Sequence, residues 1–108
     1  MQSFDLGRLL AAREVAGGAY LEFLRVPSLS AGIYHLKAGQ PDRQQPHGED
    51  EVYYVFAGRG RFRAGGEERA VEPGTVLFVE RQVEHRFSDI QEDLTVLVFF
   101  APAEGSSQ

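Results

Sequence analysis

Cysteine is absent from the 108 residues. Disulfide staples, thiolate metal ligation and a thiol nucleophile are therefore excluded. No apolar run approaches the length of a membrane span, and no basic segment followed by an apolar core opens the chain. Clustered positive charge is missing too. Lys and Arg number 11 against 16 Asp and Glu, leaving a net charge of −5. With its cations scattered, such a surface suits neither nucleic acid nor an anionic membrane. Internal repeats and low-complexity tracts are also lacking. The expectation is a cytoplasmic protein with no nucleic-acid and no membrane partner.

What is present fits one domain over residues 1–108, large enough for a single core and not for two. Leu6, Leu9, Leu10 and Arg13 follow helical spacing, so a short helix is expected within 1–13, capped by Ser3 or Asp5 and ended by Gly17-Gly18. Tyr20 to Val26 alternates and stops at Pro27, which reads as a strand, and Leu29 to Leu36 reads as a second. Glu51 to Phe56 should form a third, with a turn over Ala57 to Gly60 and a short strand over Arg61 to Ala64. Gly65-Gly66 signals a hairpin into a strand over Glu67 to Glu72, and Pro73-Gly74 turns into Thr75 to Val79. Phe87 lies in a further strand, Asp89 to Asp93 reads as a polar connection, and Leu94 to Phe100 as a buried strand. Many short strands between Gly and Pro turns point to an all-β jelly-roll β-barrel, roughly 20–101, with residues 102–108 as a flexible tail.

The chemistry concentrates just ahead of the third strand. In an extended chain, side chains at i and i+2 share a face. Gln45, His47, Glu49 and Glu51 therefore share parity with Tyr53 and Val55. Polar groups running into an apolar strand are costly to bury, and a cation bound by imidazole and carboxylate offsets that cost. A second imidazole follows the Thr75 to Val79 strand at His85, which shares parity with Phe87 and Asp89. His35, the third histidine, faces with Ile33 and is read as structural or surface.

These stretches resemble the two motifs of the cupin superfamily. The first reads Gly39, five residues, Gln45-x-His47, three residues, Glu51, six residues, Gly58. Gln45 stands where the family has a histidine. The second reads Gly74, five residues, Glu80-x-Gln82, two residues, His85, three residues, Asp89. Here the family's Pro, Gly and Asn positions hold Glu80, Gln82 and Asp89. The resemblance covers about Leu29 to Phe100 and implies a barrel whose pocket holds one divalent ion (Zn, Mn, Fe or Ni) on Gln45, His47, Glu51 and His85. The Gln-x-His pair with a Glu and a later His is also similar to the zinc set of type I phosphomannose isomerases. Gln45 either coordinates or only donates hydrogen bonds beside a three-ligand site. Glu49 is expected at the rim or behind the ligands, and Tyr53 as a pocket wall or a core aromatic.

The resemblance further implies a small metalloenzyme acting on a small oxygenated metabolite by dioxygenase, isomerase or lyase chemistry, with no catalytic residue assigned. The alternative is a non-catalytic module that binds a sugar or small acid. A structural dimer with a vestigial pocket is a third reading. The expected partners are a small-molecule ligand of anionic character and a second copy of the chain, paired through the Tyr54 and Phe56 face.

Overall fold

The computed structural model describes residues 1–42, 44 and 46–106. One helix, α1 (Leu6–Ala16), precedes six strands: β1 (Tyr20–Val26), β2 (Leu29–Leu36), β3 (Asp50–Ala64), β4 (Glu67–Val71), β5 (Val76–Val79) and β6 (His85–Ala101). In α1 the half-buried positions are Leu6, Leu9, Leu10 and Arg13, the stripe read from the spacing. The helix is bounded by two of the expected signals, although its body runs to Ala16 rather than Arg13. Asp5 is its N-cap residue without a side-chain capping bond, and Gly17 (φ +79°) closes it by an N–H donated to the Arg13 carbonyl. Phe4 packs edge-on against Phe23 of β1, with centroids 4.9 Å apart.

All strand pairs are antiparallel, in the order β1-β2-β6-β3-β4, with β5 on β3. The sheet curls into a barrel-like cup and does not close. β1 and β2 have the boundaries expected from alternation, although a bulge between Glu22 and Leu24 resets the pattern within β1. Two expectations are corrected. Ala57 to Gly60 is no turn, and Asp89 to Asp93 is no connection: each lies inside one long bent strand, β3 or β6.

The bend has a visible cause. Register shifts at Val55/Ala57, Ala57/Arg59 and Arg59/Arg61 let β3 change direction while staying paired with β6. Gly58 sits within this stretch at φ +97°, and any side chain there would overlap the Asp93 backbone. The first half of β3 thus pairs with β5 and the end of β6, and its second half pairs with β4 and the start of β6. Folding the two long strands together brings the start of β6 over the start of β3. Between the halves lies the apolar core, including Val55, Phe62, Leu77, Phe87, Leu94 and Val96. Outward alternation leaves Val52, Tyr54, Phe56, Val76 and Phe78 exposed on the opposite face.

Residues beyond β6 lie against the sheet. Ala103 is buried, the Glu104 N–H donates to Ser30 Oγ at 2.8 Å, and Arg25 donates to the Glu104 carbonyl at 2.7 Å. Among the described residues, no helix is long and apolar enough to cross a membrane.

Candidate metal centre

Three of the expected residues converge. Glu51, second in β3, points inward between Val79 of β5 and Phe100 of β6 and is 1 % exposed. His85, first in β6, is carried to it by the bend and is 2 % exposed. His47 lies in the loop before β3 and is half-buried. That loop is tied down where the Gln82 N–H donates to the His47 carbonyl at 2.7 Å. Nε2 of His47 lies 3.6 Å from Glu51 Oε1, and Nε2 of His85 lies 3.5 Å from Glu51 Oε2. One donor atom from each residue falls within 4.8 Å of the others. Donors on a common ion at about 2.0–2.2 Å sit up to about 4.4 Å apart, so a small inward movement would complete a three-ligand array. Gln45 lies outside the described residues.

The imidazoles are oriented for this task. His85 Nδ1 donates to the Val83 carbonyl at 2.9 Å, which turns Nε2 toward Glu51. His47 likewise aims Nε2 at Glu51, and its Nδ1 faces Glu104 Oε2 at 3.9 Å, beyond hydrogen-bond length. The His47 ring is braced edge-on by Phe100, with centroids 5.2 Å apart.

Glu51 Oε2 is buried and receives no hydrogen bond. An unpaired carboxylate oxygen in the interior is expensive, and only a cation or a donor relieves it. Burial lowers the proton affinity of His85, but the facing Glu51 carboxylate and the Val83 carbonyl outweigh it, and the net pKa is raised. Tyr53 sharpens the picture. Its hydroxyl donates to Gln44 Oε1 at 3.0 Å and also lies 3.0 Å from His85 Nε2. With its one proton committed to Gln44, the Tyr53 oxygen presents lone pairs to His85. Thus the space between His85 Nε2, Glu51 and Tyr53 is lined by electron pairs. A proton on His85 satisfies them, and a divalent ion would do so equally. The donor set fits such an ion.

Tyr53 is at once the core aromatic and the pocket wall that the sequence left open. It is fully buried, and burial, followed by the Glu51 charge, pushes its pKa well up. Glu49 is buried as its parity implies and lies within electrostatic reach of Glu104. Asp89 departs from parity. At φ +45° it turns outward, and Ile90 takes the inward place. His35 stays away from the centre, with Nδ1 3.3 Å from Thr95 Oγ1 and a pKa lowered chiefly by burial.

Several residues at the site carry no motif signal. Asp42, buried in the loop, accepts from Tyr34 (2.9 Å), from the Gln44 backbone (3.2 Å) and side chain (2.8 Å), and from the Phe87 backbone (2.8 Å). It therefore fixes Gln44, and Gln44 fixes the Tyr53 hydroxyl. Tyr20, Gln44 and Glu104 join His47 and Tyr53 around a cavity of about 180 Å³. Burial raises the pKa of Glu104, although His47 opposes the shift.

Comparison with known proteins agrees with this fold. Residues 32–100 match the family model described as a cupin domain. The chain is 47% identical over 104 residues to an uncharacterized protein of Streptomyces coelicolor, covering 96% of this chain and 99% of that one. The solved structure of TT1209 from Thermus thermophilus is similar at 29% identity and a TM-score of 0.76, covering 95% of this chain and 99% of that one. The DMSP lyase DddQ from Ruegeria pomeroyi is similar at 25% identity and a TM-score of 0.66 over 70% of this chain, which spans only 39% of the lyase.

Proposed function

Because the chain belongs to the cupin family, we propose that it is a metal-binding member, a small metalloenzyme acting on a small oxygenated metabolite. His47, Glu51 and His85 would hold one divalent ion, with Zn, Mn, Fe and Ni all compatible with such donors. Gln45 is either a fourth ligand or a neighbour that donates hydrogen bonds. The observation that carries this reading is the buried Glu51 carboxylate, with Oε2 unbonded and an imidazole Nε2 facing each of its oxygens at 3.6 and 3.5 Å.

Bound there, the ion would supply Lewis-acid chemistry, or oxygen activation if it is iron. Two neutral imidazoles and one carboxylate leave a divalent centre with a net charge of about +1. The chain's own residues then favour an anionic, chelating ligand such as an enolate, a keto acid or a hydroxy acid. The Val83 carbonyl would hold His85 in place by accepting from Nδ1, while Tyr53, Phe100 and Val98 wall the cavity. Likeness to a lyase supports turnover, with dioxygenase and isomerase chemistry as the other classes. A non-catalytic binding module is the second reading. It is favoured by the departures from the motif at Glu80 and Gln82. We further propose a cytoplasmic homodimer, paired through the exposed face around Tyr54 and Phe56.

Turnover separates the first two readings. Protein loaded in turn with iron, manganese, nickel or zinc should convert a 2-hydroxy or 2-keto acid, followed by proton NMR, and Glu51→Gln should abolish the conversion. Ligand binding without chemical change under every metal would leave the binding module.

A further inference from the structure

The cavity continues past the candidate ligands to a second polar region. His47 faces Glu51 through Nε2 and Glu104 through Nδ1, so the two carboxylates lie on opposite edges of one imidazole. Glu104 is held there by its main chain, through Ser30 Oγ and the Arg25 guanidinium. Arg25 donates to the Glu104 carbonyl at 2.7 Å and to Glu22 Oε1 at 2.8 Å. A carboxylate can accept several donors, and His47 at 3.9 Å does not saturate that of Glu104.

Beside it stands Tyr20, the first residue of β1. Its hydroxyl is buried and has no hydrogen-bond partner. The tip of its ring lies over Gly32, where any Cβ would overlap it, so the phenol occupies a place made for it. A buried hydroxyl left unbonded in a cavity wall calls for a partner. The charge of Glu104 is felt at Tyr20.

We propose that Tyr20 and Glu104 form a second recognition point, which accepts a hydroxyl or ammonium group of the ligand. The pocket would then take small chelating acids that carry a hydrogen-bond donor at their other end, and would reject dicarboxylates. The inference rests on His47, Glu51 and His85 being the metal ligands. Like charges in a half-buried cavity repel strongly, so a second ligand carboxylate beside Glu104 is disfavoured. A donor there would satisfy both the Glu104 carboxylate and the orphaned Tyr20 oxygen.

Calorimetry on the zinc-loaded full chain at about pH 8, where an aliphatic amine is still largely protonated, tests this with four 2-hydroxy acids. Lactate, glycerate, 3-amino-2-hydroxypropanoate and malate share the chelating end and differ at the other. Glycerate and the amino acid should bind at least about tenfold more tightly than malate, and glycerate more tightly than lactate. Glu104→Gln should collapse the preference for ammonium over carboxylate. Tyr20→Phe, with zinc content unchanged, should remove the advantage of glycerate over lactate. If Glu104→Gln loses its zinc, the Tyr20→Phe comparison decides. Binding of all four with a flat or reversed order overturns this inference and leaves the metal reading intact. Binding of none, with zinc present, overturns the chelating-ligand reading and this inference together.

Discussion

Gln82 occupies a position where the cupin pattern has glycine, and the backbone shows why glycine suits it. Its φ is +66°, in the left-handed region, and its N–H holds the His47 carbonyl at 2.7 Å. Asp89, at an Asn position, has φ +45°, which Asn and Asp tolerate better than most residues. The left-handed conformation costs a side-chain-bearing residue roughly 1–2 kcal/mol, and glycine's greater freedom when unfolded returns about 0.5–1 of this. Gln82→Gly should therefore stabilise the fold by on the order of 0.5–1 kcal/mol, read as a higher urea midpoint with an unchanged slope. A lower midpoint would mean that the Gln82 side chain contributes more than its backbone strain costs. The pairing of His47 with Glu51 was legible because parity and motif spacing act within a few residues, whereas His85 joined them only through the resemblance to the second cupin motif. Asp42, Tyr20 and Glu104 were not legible. Asp42 carried no pattern of its own, Tyr20 read as an ordinary strand residue and Glu104 as part of a flexible tail, and only long-range folding gives them partners at the site.

Among the elements, β1 and β2 could be delimited from alternation because Pro27 and flanking turns mark their ends. The helical stripe of Leu6, Leu9, Leu10 and Arg13 was equally readable. β3 and β6 were read as broken for one physical reason. Gly58 and Gly60, and the polar run Asp89 to Asp93, carry turn composition, yet here they serve bulges that bend paired strands. A bulge keeps the ladder while resetting the side-chain face, so local composition cannot distinguish it from a turn. That bend is also what assembles the site, since it sets His85 over Glu51.

At the scale of the whole molecule, one side of the sheet is left apolar. Val76 pairs with Tyr54 and Phe78 with Val52, and the exposures of these four range from 36% to 65%. A contiguous apolar sheet face suits self-association, where a stable interface covers about 800 Å² per partner. Tyr54→Lys should shift a wild-type dimer toward monomer in sedimentation velocity. An unchanged dimer, or a monomeric wild type, would contradict pairing through this face.

In the cup as a whole, two strands and a loop bring two imidazoles to a buried carboxylate. Metal content tests that arrangement most directly. Untagged protein analysed by elemental mass spectrometry should carry close to one divalent ion per chain, after reloading if required. His47→Ala and His85→Ala should each lose it while staying folded by circular dichroism. Protein that takes up none of iron, manganese, nickel or zinc, or variants that keep the ion, would contradict the account.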